Sequence, residues 1–245
     1  SIFKRGLGED DLAQLKETIL MLQRFKGMPN FDWMSELVVK LEDRLDLRGA
    51  SHSVVGYDDN ESYTGLDWFQ DLFDAIINKA VLRIQYRTFY DVSHDWIFHP
   101  YYIKEYNNRW FLFGLNEENH SIHNIALDRI EEIEQVNKEY IPTDIDFERY
   151  LDDVVGVSVS ASKKLPIKLQ FSEHRFPYVL TKALHRSQRV VDLDNRIVEI
   201  NVIPNNELEA LILSFGKDVE VLSPPEYRKQ IQEVIRESYE CYLPV

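Results

Sequence analysis

The sequence predicts an α+β chain built in three parts: a helical start, a small β-barrel and a second, compact α+β unit. Three observations predict it. Apolar residues recur every three to four positions up to about residue 77, then alternate with polar ones from Val81. Five or six short strands with short turns follow, which is the pattern of a small barrel. From Leu165 the order becomes strand, helix, strand, strand, helix, strand.

Each element has a local reason. Residues 9–26 read as a helix, with Asp10 and Asp11 at its start and Leu12, Leu15, Ile19, Leu22 and Phe25 on one face; Gly27 and Pro29 stop it. A second helix reads from about Asp32 to Leu45. Residues 46–65 are loop-like. A third helix carries Leu66, Phe69, Leu72, Phe73, Ile76 and Ile77. Val81-Leu82-Arg83-Ile84-Gln85-Tyr86-Arg87 alternates as a half-buried strand does. Further strands read at about 95–98, 100–106, 109–115, 121–127 and 130–136. Asn107-Asn108 marks a hairpin, because asparagine tolerates the positive φ of tight turns. Residues 141–162 read as a connector rich in aspartate.

Beyond the connector, strands are expected at 167–171, 188–193, 196–203 and 219–222. Helices are expected at 174–185, at 206–215 with Gly216 as its stop, and from Pro224 to about Tyr239. This is the split βαβ order of a ferredoxin-like domain with one helix appended. The parts are therefore 1–76, 77–140, the connector 141–162, and 163–245.

Composition narrows the function classes. The chain has 245 residues, 44% of them hydrophobic and 29% charged, which excludes wholesale disorder. One cysteine, Cys241, excludes an intrachain disulfide and a cysteine-based zinc site. It reads as a buried or inert thiol of a cytoplasmic protein. No apolar run approaches the ~20 residues of a spanning helix, so no membrane is expected. The net charge of −14 repels a phosphate backbone wherever basic groups are not concentrated. The acid excess lies wholly before residue 163, since 163–245 carries 12 basic and 12 acidic groups.

No phosphate-loop, dinucleotide-binding or nucleophile-elbow pattern occurs. The closest histidine pairs are His94 with His99 and His120 with His123, and the latter sits at a strand entrance, where positions i and i+3 point to opposite faces. The expectation is a binding protein, not an enzyme, with no metal and no cofactor.

The strand block 81–136 holds unusual polar residues: Tyr86-Arg87 at a strand end, His99-Pro100 at a strand start, Arg109-Trp110-Phe111-Leu112 after the hairpin, and Leu127-Asp128-Arg129-Ile130 at the close. Two readings stand. In one, Arg87, His99 and Arg129 line a barrel mouth that grips phosphate or carboxylate, with Tyr86 and Phe111 offering ring faces. In the other, Arg129 pairs with an acid, Tyr86 and Phe111 are core, and His99 ends a strand.

The same segments, in this order, resemble the WYL domain family of bacterial regulators. Trp110-Phe111-Leu112 matches the family's namesake Trp-Tyr-Leu triplet, and Leu127-Asp128-Arg129-Ile130 its closing strand. Residues 163–245 resemble the WCX extension that follows such domains, and residues 1–76 the helical segment that precedes them. The resemblance implies an SH3/Sm-like five-stranded barrel and a nucleotide-like or nucleic-acid effector held by Tyr86, Arg87, His99, Phe111 and Arg129. Phe111 stands where the family has tyrosine, so a hydroxyl is missing. The resemblance also implies a homodimer and control of a DNA-binding domain that contacts promoter DNA. Because the chain opens with Ser1-Ile2-Phe3-Lys4, which reads as the tail of a wing, it is expected to be the sensing and dimerising part of a longer regulator. The alternative is a standalone WYL binding module with no DNA-binding domain of its own.

Overall fold

The computed structural model describes residues 65–159 and 162–243. The helices read at 9–26 and 32–45, and nearly all of the loop after them, lie outside the described residues. The chain divides into two compact units, residues 1–141 and 142–245.

The described part of the first unit begins with a 3-10 turn at Leu66–Trp68 and helix α1, Phe69–Ile77. The strands are β1 (Val81–Arg87), β2 (Ser93–Tyr106), β3 (Arg109–Asn116), β4 (Ser121–Ala126) and β5 (Ile130–Val136). They form one antiparallel sheet in the order β4-β3-β2-β1-β5. The alternation in β1 does what it predicts: Leu82, Ile84 and Tyr86 are buried while Arg83, Gln85 and Arg87 are exposed. Asn107 and Asn108 take φ of 50° and 57°, the double left-handed turn that suits a twisted hairpin.

The two strands read at 95–98 and 100–106 are one 14-residue strand, β2. Pro100 does not break it, for a local reason. β1 covers β2 only as far as Phe98, so the missing N–H of Pro100 faces no β1 partner. A bulge between Pro100 and Tyr102 bends the strand there. Gly114 lies opposite, and a Cβ on it would sit 2.3 Å from the His99 carbonyl oxygen and 2.3 Å from the Phe98 ring. The bend lets one sheet wrap one core, made of Leu72 and Ala75 of α1 with Leu82, Ile84, Phe98, Leu112, Ile125, Leu127 and Ile130. Burying each of the larger apolar side chains contributes roughly 1.5–3 kcal/mol.

Leu127–Arg129 is a 3-10 turn, not the continuation of a strand. It joins the two outer strands β4 and β5. The chain entering α1 braces it: Trp68 Nε1–H donates to the Ile130 carbonyl at 3.0 Å. Gly65, at φ 85°, lies so close that a Cβ would fall 2.3 Å from the Asp128 nitrogen and the Leu127 carbonyl carbon.

In the second unit β6 (Leu165–Phe171), α3 (Phe176–Thr181), β7 (Arg189–Asp192), β8 (Ile197–Val202), α4 (Asn206–Leu213), β9 (Val219–Ser223) and α5 (Pro225–Glu240) follow one another. The short helix α2, Phe147–Tyr150, precedes them. The sheet order β7-β8-β6-β9, all antiparallel, is the ferredoxin-like topology the sequence order implies. Helix α3 is shorter than the 174–185 expected, and Arg196 takes a positive φ, 58°, between β7 and β8.

The segment read as a connector packs into this unit. Val155 belongs to its core with Ile167, Leu169, Val198, Ile200 and Leu208. Asn205 caps α4 through the Leu208 N–H and donates to the carbonyls of Val155 and Ser158, each at 2.8 Å. Cys241 is exposed, not buried, because α5 buries only Tyr227 and Ile231 and the chain leaves the core after them. No helix among the described residues is long and apolar enough to cross a membrane.

Candidate functional site

The five residues singled out from the sequence do not meet in one mouth. Register decides this. Tyr86 pairs with His94 near one end of β1, whereas Leu82 pairs with Phe98 near the other. His99 therefore lies about five residues along β2 from His94, on the order of 17 Å at strand rise. Tyr86 is buried and stacks on Trp96 with ring centres 5.2 Å apart. Its place inside follows from the alternation with Leu82 and Ile84, so its ring offers no face to a ligand.

His99 is completely buried. Its Nδ1 accepts the Ile141 N–H at 3.1 Å, and its Nε2 lies 3.1 Å from Glu117 Oε1. With Nδ1 accepting the backbone N–H, Nε2–H is the donor to Glu117. Lys138 binds the second oxygen of Glu117. The Tyr101 hydroxyl donates to the Ile141 carbonyl at 2.7 Å and the Tyr140 hydroxyl to the Pro100 carbonyl at 2.8 Å. Burial pushes the Tyr140 hydroxyl up to about 12. The Lys138 ammonium, and then the His99 ring, hold the Glu117 carboxyl below the ordinary glutamate range against the opposing effect of its surroundings. His99 is thus the centre of a clasp that ties the chain leaving β5 back onto β2.

Of the remaining three, Arg87 and Arg129 both lie against the loop at 88–92, and Phe111 stands on β3 beside the strand end that leads into the Arg129 turn. Arg87, the last residue of β1, is bound by Glu131 at 2.6 Å and Asp91 at 2.8 Å. These two hydrogen-bonded carboxylates raise its pKa. Phe111 faces away from the core that holds Trp110 and Leu112, and pairs with Ala126, one residue before the 3-10 turn. Arg129 ends that turn.

Two residues the sequence reading did not choose complete the cluster. The β1–β2 loop brings the Phe89 ring under Arg129, whose guanidinium carbon is 3.0 Å from the ring centre. Arg109, two residues before Phe111 on the same face of β3, lies 5.6 Å from that ring and 3.1 Å from Asp128. Arg109 stood in the quoted segment Arg109-Trp110-Phe111-Leu112. Phe89 had no periodic signal, since it lies in a loop.

Charge in this cluster is nearly balanced. Arg87 has two carboxylate partners and Arg109 has one. Arg129 has none among the described residues; its contact is the Phe89 ring. Among the described residues the Arg129 fork has no hydrogen-bond partner, and a guanidinium fork suits a phosphate or carboxylate oxygen pair. Phe89 is 71% exposed and Tyr90 90% exposed, so aromatic surface lies open beside it. Among the described residues no group of three or more His, Cys, Asp or Glu side chains is arranged to hold a metal ion. His123 hydrogen-bonds Asn119 at 2.8 Å, and burial lowers its pKa.

Two family models match the chain. The WYL domain model matches residues 67–135 and the WCX domain model matches residues 163–239. No curated protein sequence matches the chain. Among solved structures, proteasome accessory factor B/C of Arthrobacter aurescens aligns at 15% identity and a TM-score of 0.33, over 97% of this chain and 37% of that one. A CRISPR Cas-related protein aligns at 15% identity and a TM-score of 0.49, over 73% of this chain and 52% of that one. The chain thus spans 37% and 52% of the lengths of these two structures.

Proposed function

Because the chain carries a WYL domain followed by a WCX domain, we propose that it is the effector-sensing part of a bacterial transcriptional regulator. The effector is an anionic, nucleotide-like or short nucleic-acid ligand, taken by the part of the WYL domain that carries Arg87, Arg109, Phe111 and Arg129. The observation that supports this reading is Arg129. It is held on a braced 3-10 turn, has no carboxylate partner among the described residues and stands beside open aromatic surface. Binding acts on transcription through a DNA-binding domain elsewhere in the regulator, by favouring one of two arrangements of a homodimer in the cytoplasm. The protein binds and does not turn over its ligand.

The test is the affinity of a fluorescent pentathymidylate for the wild-type chain and for Arg129→Ala. The variant is expected to lose at least tenfold in affinity, because a charge-assisted fork contributes about 1.5–3 kcal/mol. Its melting temperature is expected to stay within a few degrees of wild type. Equal affinity of the two proteins refutes the assignment of Arg129. Light scattering of the purified chain checks the dimer, and a monomer at micromolar concentration refutes it.

A further inference from the structure

We propose that Phe89 is a stacking platform that makes this site select ligands bearing a flat aromatic ring, such as a nucleobase, over simple anions of equal charge. The proposal rests on the anion-binding reading above and deepens it.

The argument starts from charge. The cluster holds three arginines, but Asp91, Glu131 and Asp128 already bind two of them. Among the described residues this leaves one of the three guanidiniums, Arg129, without a carboxylate, on a chain whose net charge is −14. One half-buried guanidinium attracts any anion that reaches it and does not by itself select among them. Charge alone therefore does not make a sensor of this site, and a second source of binding energy is needed.

Phe89 supplies it. Arg129 covers one face of the ring, 3.0 Å from its centre. The residue is nonetheless 71% exposed, so the rest of the ring is open to solvent. A phenyl ring so exposed gains little from packing, and its neighbours Tyr90 and Val92 are also exposed. The Arg129 contact holds the ring beside the guanidinium fork through the attraction of a cation for an aromatic face. A base on the open face then brings its phosphate within reach of Arg129 and Arg109. The result is a layered arrangement of guanidinium, phenyl ring and base. Tyr86, the ring the sequence singled out for this task, is buried against Trp96 and is not available for it.

The test uses two pentamers of equal charge and length: pentathymidylate, and the same phosphodiester chain with abasic sugars at all five positions. Wild-type protein is expected to bind the thymidylate roughly five- to hundredfold more tightly, the range of one stacked base. Phe89→Ala is expected to lose that preference while still binding both pentamers, and Phe89→Trp to keep it. An exposed loop residue is not required for folding, so unchanged melting curves are expected for both variants. A preference that survives in Phe89→Ala overturns the proposal. Equal binding of the two pentamers by wild type also overturns it, and leaves the anion-binding reading standing. Binding of neither pentamer by wild type at low salt overturns both.

Discussion

Replacing Gly65 by alanine probes how the Arg129 turn is held. Two costs apply. Gly65 has φ 85°, where an L-residue is strained by about 1–2 kcal/mol. Its Cβ would also meet the Asp128 nitrogen and the Leu127 carbonyl carbon at 2.3 Å and the Leu127 oxygen at 2.4 Å. These are backbone atoms that no rotamer change can remove, so the turn must shift, at a further cost of about 1–3 kcal/mol. Alanine stiffens the unfolded chain and recovers about 0.4–1 kcal/mol. The net expectation is a loss of about 2–4 kcal/mol.

Gly216 is the internal control. It too has a positive φ, 54°, but a Cβ there meets nothing within 4 Å. Gly216→Ala should therefore cost only about 1 kcal/mol. Urea denaturation measures both. Circular dichroism follows the whole chain, and tryptophan fluorescence follows the first unit, where Trp68, Trp96 and Trp110 lie. Gly65→Ala should also weaken pentathymidylate binding, since the displaced turn carries Arg129, whereas Gly216→Ala should not. Equal stability losses in the two variants, with binding unchanged in both, would refute the claim that Gly65 braces the turn.

Two further predictions concern the clasp. His99→Ala should destabilise the first unit by about 2–4 kcal/mol, from the cavity and from the Ile141 N–H left without its acceptor. It should leave pentathymidylate affinity within about twofold of wild type; a large affinity loss without destabilisation would return His99 to the ligand site. Glu117 adds a pH dependence. Its folded pKa is depressed, by Lys138 first and His99 after it. Its contribution is therefore fully present above its ordinary value, 4.5, and is lost as pH falls through the lower folded value. The melting-temperature gap between wild type and Glu117→Gln should be constant near neutrality and shrink only as pH falls below about 4.5; a gap that does not change with pH contradicts the ion-pair assignment.

Much of this fold was legible because simple periodicities govern it. Alternation placed Leu82, Ile84 and Tyr86 inside, and the Asn107-Asn108 pair announced its own turn. The ferredoxin-like order emerged because short elements separated by Asp194-Asn195 and Gly216 leave few other pairings. Pro100 misled because proline's missing donor matters only where a partner strand lies alongside, and β1 ends its cover at Phe98.

The site was legible in part. Arg129 stood out by its motif, but the 3-10 conformation of its turn comes from the packing of Gly65 and Trp68. His99 was placed with the arginines because sequence spacing shows neither the bulge at Pro100 nor the return of Ile141 from 42 residues away. Tyr86 was offered as a ring face although its own alternation places it inside. Phe89 lay in a loop, where only the folded chain reveals that it meets Arg129 and Arg109.

The most direct measurement is an NMR titration of the chain with pentathymidylate, reading arginine Nε–Hε and backbone amide signals. The account predicts that Arg87, Arg109 and Arg129 and the amides of residues 88–92 and 127–131 move together and saturate together, while the Ile141 amide beside His99 stays fixed. Shifts centred on the His99 clasp or on the second unit, with Arg129 unmoved, would contradict it.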